Sequence, residues 1–166
     1  MGISMGGFNV AQLIFRNPEL FEKGVMISPL IYSFTAFTEK TVIDKFIIQE
    51  DSKFPGRKHK ILRDIFGWNH LKHTVYKHLE KMTYYHYPDQ KAWEAGDIIN
   101  NIKIPQNDKF PQIYVSCGKR DENGLYPGSE ILAARAAKLG YPVKWRSLDG
   151  GHSVKDEKEI SKFIIE

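Results

Sequence analysis

Apolar positions at the start of the chain follow the pattern of a buried helix and then a buried strand. Six apolar residues follow the first seven positions at helical spacing. They are Phe8, Val10, Ala11, Leu13, Ile14 and Phe15. Asn17-Pro18 predicts the end of this helix, because proline cannot continue a helical hydrogen-bond pattern. Residues 24–28 form a short apolar run before Pro29, which predicts a buried strand.

Residues 30–104 have a different pattern, rich in aromatic and charged residues with few strand signals. Helical spacing predicts helices over 38–49, 59–66, 69–84 and 90–100. We interpret this segment as a helical insertion that forms a lid or cap over a site. Four aromatic residues are candidates to line a substrate pocket, and the alternative is that they pack a small core of the insertion itself. These residues are Tyr84, Tyr85, Tyr87 and Trp93.

From residue 111 onward, the pattern alternates between strand and helix. Residues 112–116 and 142–148 are predicted strands, and residues 128–139 and 155–165 are predicted helices. Gly140 is suited to cap the first of these helices. Alternating strands and helices predict an α/β fold with a parallel sheet and right-handed crossovers. A site is then expected at the carboxyl ends of the strands.

Composition excludes several classes of function. The 166 residues are 42% hydrophobic, which is enough for one domain with a core. The net charge of +4 is small and its basic residues lie among acidic ones, so nucleic-acid binding is not expected. No apolar run is long enough to span a membrane. The lone Cys117 excludes an internal disulfide, which is compatible with a reducing compartment such as the cytoplasm.

The first residues carry the clearest chemical motif. Gly2-Ile3-Ser4-Met5-Gly6 fits G-x-S-x-G, the nucleophile elbow in which a serine occupies a strained turn between a strand and a helix. Ser4 is the candidate nucleophile, and the Met5 amide is a candidate oxyanion donor. We expect that a side chain at Gly2 or Gly6 would crowd the backbone.

A serine hydroxyl becomes nucleophilic when a histidine, oriented by a carboxylate, takes its proton. The elbow motif is accompanied by an acid and then a histidine later in the chain. This chain offers candidates in that order, each following a predicted strand. Asp121 is the favoured acid and Glu122 is the runner-up, because spacing cannot rank two adjacent residues of a loop. His152 is the candidate base, since Gly150-Gly151 lets its loop bend over the strand ends. Asp149 is a weaker alternative acid because it lies too close to His152 in sequence.

No cofactor or metal site is expected. His70 and His73 share a predicted helix face, but no cysteine or clear carboxylate completes a ligand set, so a solvated face is favoured. The remaining histidines of the insertion are His59, His78 and His86. The sequence contains no phosphate-binding glycine loop and no dinucleotide fingerprint.

These motifs together resemble the carboxy-terminal part of the putative esterase family of α/β-hydrolases, which includes esterase D and feruloyl esterases. The matching stretches are residues 2–7, 17–21, 28–29, 117–121 and 150–153. The resemblance implies an α/β-hydrolase fold, Ser4 as nucleophile, His152 as base and Asp121 as its orienting acid. It also implies that neither a metal nor an organic cofactor is needed.

Family members carry several strands and helices before the elbow, including the strand that feeds it. We therefore expect this sequence to be part of a longer esterase, with an open sheet edge through which copies of the chain associate. The predicted function is a serine hydrolase that cleaves small or sugar-linked acyl esters through an acyl-enzyme. The alternatives are an acyltransferase that uses the same triad, and a non-catalytic fragment or binding subunit.

Overall fold

A computed structural model of the chain describes residues 1–33, residue 87 and residues 89–166. They fall into two compact units, one formed by residues 1–33 and 97–166, the other including residues 87 and 89–96. The helices predicted over 38–49, 59–66 and 69–84 lie outside the described residues, as do Tyr84, Tyr85 and the five histidines of the insertion. The interpretation of 30–104 as a lid or cap stays a prediction.

Four parallel strands form one sheet in the order β1-β2-β3-β4. They are β1 Gly2–Ile3, β2 Lys23–Ile27, β3 Gln112–Gly118 and β4 Val143–Leu148. The α/β class with a parallel sheet is therefore confirmed. The third strand runs two residues further than predicted, because Cys117 and Gly118 still pair with Ser147 and Leu148 of β4.

Three α-helices of the described residues belong to the same unit as the sheet, and a short 3-10 helix, Pro18–Leu20, follows the first of them. The three α-helices are α1 Met5–Arg16, α3 Tyr126–Lys138 and α4 Glu157–Ile165. As predicted, α1 ends just before Asn17-Pro18. The start of α3 precedes the predicted one because Pro127 is accepted in a first turn, where its missing N–H is not needed. The start of α4 is later than predicted because Asp156 caps it, its side chain accepting a hydrogen bond from the Glu159 amide.

Alternate strand residues face opposite layers of helix, as the two-residue period of a strand requires. On one face, α1 and α3 pack against Met26, Ile113 and Val115. The buried residues of α1 lie along one face of the helix and are Gly7, Ala11, Ile14 and Phe15. On the other face, α4 packs through Ile160 and Phe163 against a second cluster. Its strand members are Val25, Ile27 and Tyr114.

The second unit contributes one described helix, α2 Gln90–Gly96. The rings of Tyr87 and Trp93, both in this second unit, pack edge to face with centroids 5.4 Å apart. The predicted helix over 90–100 is wrong beyond Gly96. There the Asp97 side chain accepts a hydrogen bond from the Ile99 amide at 3.0 Å, a local turn that competes with a helix. No helix in the described part of the chain is long and apolar enough to cross a membrane.

The core of the sheet unit can be tested with two adjacent aliphatic residues of α3. Leu132 is fully buried between α3 and the sheet, whereas Ile131 is 42% exposed. Leu132→Ala should lower the free energy of unfolding by about 2–5 kcal/mol, because it removes buried apolar surface and leaves a cavity. Ile131→Ala should change it by less than about 1 kcal/mol. Urea unfolding followed by circular dichroism measures both, and equal losses would contradict the packing of this helix.

Candidate active site

The carboxyl ends of all four strands lie at one edge of the sheet, as parallel pairing requires. Ser4 follows β1 directly, and Ser28 follows β2 directly. Asp121 comes shortly after β3, and His152 shortly after β4. The candidate residues from the sequence are therefore gathered at the edge where a site of this fold class is expected.

Ser4 occupies the strained turn that the elbow motif predicts. Its backbone angles are φ 54° and ψ −118°, a left-handed region that non-glycine residues rarely adopt. Such a conformation costs on the order of 1–3 kcal/mol, so it persists only where its surroundings fix it. Here the Ser4 amide donates to the Ile27 carbonyl at 2.9 Å, and the Ser4 carbonyl accepts from the Leu30 amide at 2.9 Å.

The glycines around Ser4 have unequal roles. A Cβ atom at Gly2 would lie 2.1 Å from the Gly6 carbonyl oxygen, a distance that no real contact allows. A Cβ atom at Gly7 would lie 3.0 Å from the Cα of Pro29. At Gly6, however, an added Cβ would meet no atom of the described residues within 4 Å. The expectation of crowding is therefore supported at Gly2 and wrong at Gly6 as far as the described residues are concerned.

Asp121 and His152 are brought into direct contact. The His152 Nδ1 atom lies 2.8 Å from the Asp121 Oδ2 atom. The Asp121 side chain is fully buried, and that of His152 is 18% exposed. The other carboxylate oxygen of Asp121 accepts a hydrogen bond from the Asn123 amide at 2.9 Å. Because the Asp121 carboxylate accepts a hydrogen bond from His152 Nδ1, the neutral imidazole carries its proton on Nδ1. The other ring nitrogen, Nε2, is then the basic one.

The electrostatics of this pair favour charge on both partners. Burial acts to raise the pKa of Asp121, but hydrogen bonds from His152 and the Asn123 amide outweigh it and hold that pKa below its usual range. The hydrogen bond to Asp121 raises the pKa of His152 despite partial burial, and the negative charges of Asp121 and Glu122 add to this effect. The imidazolium form is thus stabilised, which suits a group that receives a proton.

The three candidate acids occupy different positions. Asp121 contacts the imidazole ring, whereas Glu122 accepts a hydrogen bond from the His152 backbone amide at 2.8 Å. Asp149 forms an exposed ion pair with Arg120 at 2.9 Å. The geometry therefore favours Asp121 as the acid that orients the ring.

Gly118 allows the loops after β3 and β4 to meet, and Gly150 allows the second loop to fold back on itself. A Cβ atom at Gly118 would lie 2.3 Å from the carbonyl oxygens of both Gly150 and Gly151. At Gly150, an added Cβ would lie 2.7 Å from the Val154 side chain. The two loops therefore touch backbone to backbone, which brings Asp121 within reach of His152. The paired glycines before His152 signalled this approach in the sequence.

Ser28 is a site residue that sequence reasoning missed. Its hydroxyl donates to the His152 carbonyl at 3.0 Å, and it is fully buried with φ 41°. It lies beside Ile27, whose carbonyl accepts from the Ser4 amide. Ile27 and Ser28 therefore link Ser4 to His152. Among the described residues the Ser4 hydroxyl makes no hydrogen bond to His152, and such contacts commonly tighten only when substrate binds.

Two further features bear on chemistry at this edge. The Met5 amide is the first of α1, where helix N–H groups lack acceptors in the preceding turn. Cys117 is fully buried, and its thiol lies 3.5 Å from the Asp121 Oδ2 atom. Burial and the Asp121 charge raise the pKa of Cys117 to about 12. The described residues include no group of three side chains that could hold a metal ion.

Comparison with known proteins places this geometry in context. Residues 1–156 match the family model described as putative esterase. No curated protein matches the sequence. Carboxyl esterase 2 from the mycorrhizal fungus Tuber melanosporum superposes with a TM-score of 0.51 at 16% identity, covering 92% of this chain and 43% of that one. An esterase from Exiguobacterium antarcticum gives 0.45 at 12%, covering 99% and 63%. The chain thus spans less than two thirds of either protein's length.

The unequal glycines of the elbow give a matched pair of variants. Gly2→Ala should lower the free energy of unfolding by more than about 2 kcal/mol, because its methyl group would overlap the Gly6 carbonyl. Gly6→Ala should leave stability unchanged or raise it by up to about 1 kcal/mol, because alanine is favoured over glycine in helices. Thermal unfolding of both variants measures this, and a strongly destabilising Gly6→Ala would contradict the elbow geometry.

Proposed function

This chain belongs to the putative esterase family, and on that premise we propose that it is a serine hydrolase that cleaves carboxylic esters through an acyl-enzyme. The observation that carries the proposal is the 2.8 Å contact between Asp121 and His152, at the same sheet edge as the strained Ser4. Those residue types in that order are the ones that activate a serine for acyl transfer.

Each residue has a proposed part in the first half of the reaction. The Ser4 Oγ atom attacks the ester carbonyl carbon while its proton passes to His152 Nε2. Asp121 keeps the imidazole in the tautomer that leaves Nε2 basic, and it stabilises the imidazolium that forms. The Met5 amide donates to the oxyanion of the tetrahedral intermediate. His152 then gives its proton to the leaving alcohol, and the acyl group remains on Ser4.

Water resolves the acyl-enzyme by the same groups in reverse. His152 Nε2 takes a proton from water, whose oxygen attacks the acyl carbon. Collapse of the second tetrahedral intermediate breaks the bond to Ser4, which recovers its proton from His152 and releases the carboxylic acid. If an alcohol replaces this water, the same steps transfer the acyl group, so product analysis separates a hydrolase from an acyltransferase.

The nucleophile can be tested by covalent labelling of the full chain. A fluorophosphonate probe should label Ser4, read by peptide mass spectrometry, because only an activated serine attacks it. Ser4→Ala and His152→Ala should each lose the label and lower hydrolysis of p-nitrophenyl acetate by at least about 10³-fold. Ser161→Ala, an exposed serine of α4, is the matched control and should retain both. Absence of label on the folded chain would favour a binding subunit.

The acid can be tested through pH dependence. The kcat/KM should rise with pH as His152 loses its proton, with its midpoint above the usual histidine value of about 6.5, because Asp121 stabilises the protonated form. Asp121→Asn should lower the pKa of His152, move this midpoint to lower pH and reduce the rate by up to about 10⁴-fold.

Asp149→Asn is the control for that measurement, since Asp149 is exposed and paired with Arg120. It should retain both the rate and the midpoint. If only Asp149→Asn lost activity, the orienting acid would be Asp149 and not Asp121, which would contradict the proposed triad.

A further inference from the structure

We propose that Glu122 is a positioning residue for His152, anchoring the backbone of the His152 loop and placing a second negative charge beside the imidazole. This inference rests on the proposed role of His152 as base. It gives the two adjacent acids of the β3–α3 loop separate tasks: Asp121 binds the ring, and Glu122 binds the main chain behind it.

The first observation is a long-range hydrogen bond. The Glu122 Oε2 atom accepts from the His152 backbone amide at 2.8 Å, across 30 positions of sequence. Three hydrogen bonds therefore hold His152, one at its ring and two at its main chain. Asp121 binds Nδ1, Glu122 binds the amide, and the Ser28 hydroxyl binds the carbonyl at 3.0 Å.

The second observation is a space that only glycine leaves open. A Cβ atom at Gly151 would lie 2.6 Å from the Glu122 Oε2 atom, closer than Cβ contacts occur. The backbone of Gly151 adopts no positive φ, so conformational freedom does not explain a glycine here. The absent side chain instead admits the Glu122 carboxylate to the amide that follows it in the chain.

The third observation concerns charge. Asp121 and Glu122 are the charged groups of the described residues that act on the His152 ring, both raising its pKa. On the same two loops, Arg120 and Asp149 neutralise each other in an ion pair, and the Cys117 thiol is uncharged at neutral pH. From the end of β2, the neutral Ser28 hydroxyl contacts the His152 carbonyl. Removing the Glu122 charge therefore lowers the pKa of His152.

Two variants of Glu122 separate the hydrogen bond from the charge. Glu122→Gln keeps an oxygen that accepts from the His152 amide but removes the charge. It should shift the His152 titration and the acid limb of kcat/KM to lower pH, with kcat at the high-pH plateau within about twofold of the parent. Glu122→Ala removes both, so it should show the same shift and in addition a roughly three- to tenfold loss of plateau kcat with little change in KM.

Glu22→Gln is the matched control, because it makes the same change at the amino end of β2. Six residues of extended chain separate that end from the site, about 20 Å, which exceeds the Debye length of about 8 Å at physiological salt. Glu22 pairs with Lys109 there at 3.9 Å, with both side chains exposed. This variant should move neither the titration nor kcat.

The titration should be read by imidazole NMR spectra of the full chain, with the His152 signal assigned by its absence in His152→Asn. Because Glu122 is exposed, the shift caused by Glu122→Gln should shrink in 1 M salt. This measurement needs no turnover, so it tests the placement of Glu122 even if Ser4→Ala shows that the proposed hydrolase activity is wrong.

Gly151→Ala supplies an independent check. Its methyl group would displace the Glu122 carboxylate, so it should reproduce the kcat loss of Glu122→Ala, and the double variant should lose no more than either single one. A Glu122→Gln variant whose His152 titration matches that of Glu22→Gln would overturn the charge effect. Additive losses in the double variant would overturn the anchoring role.

Discussion

The candidate site depends on the register between β3 and β4. Gly118 is aligned with Leu148 at the carboxyl ends of these strands. The pairing continues beyond both, as the Lys119 amide donates to Leu148 and the Arg120 amide donates to Gly150. A slip by one residue would displace one loop by about 3.3 Å and turn buried strand residues to the other face. The 2.8 Å contact between Asp121 and His152 could not survive that displacement. The register that pairs β3 with β4 therefore sets the site as well as the core.

The sequence was sufficient to predict the outline of this arrangement. Strand and helix patterns at both ends of the chain predicted a parallel sheet, and the order of Ser4, Asp121 and His152 predicted where polar residues would gather. Helix ends were less predictable where a side chain decided them. Asp156 moved the start of α4, and Asp97 formed a turn where periodicity alone favoured more helix.

Other features could not be predicted because they arise from contacts distant in sequence. Asp121 and Glu122 are adjacent, and only the turn that joins the Asp121 amide to the Gly118 carbonyl aims one at the ring and the other at the backbone. Ser28 belongs to no motif, and its role arises from a hydrogen bond to His152 across 124 positions. The motif treated Gly2 and Gly6 alike, whereas an added Cβ would overlap backbone at Gly2 and would meet none of the described residues at Gly6.

Backbone strain at the site is confined to residues that are fixed on several sides. Ser4 and Ser28 both adopt positive φ, and the amide of each donates to a carbonyl of the neighbouring strand, at Ile27 of β2 and Ser116 of β3. The Ser4 carbonyl accepts from two amides, those of Phe8 and Leu30. These bonds offset a strain of on the order of 1–3 kcal/mol at each serine. Preorganisation of this edge is thus built from main-chain bonds, which tolerate change in surrounding side chains.

The burial of Cys117 has a practical consequence for spectroscopy. It is the single thiol of the chain, it is fully buried, and its pKa of about 12 keeps it protonated at neutral pH. Thiol-directed dyes react with exposed thiolates, so they should ignore this residue in the folded protein. A cysteine introduced at an exposed position such as Ser161 would then accept a single fluorophore without removal of the native one. The wild-type thiol would in turn report unfolding, since it becomes reactive only when the sheet opens.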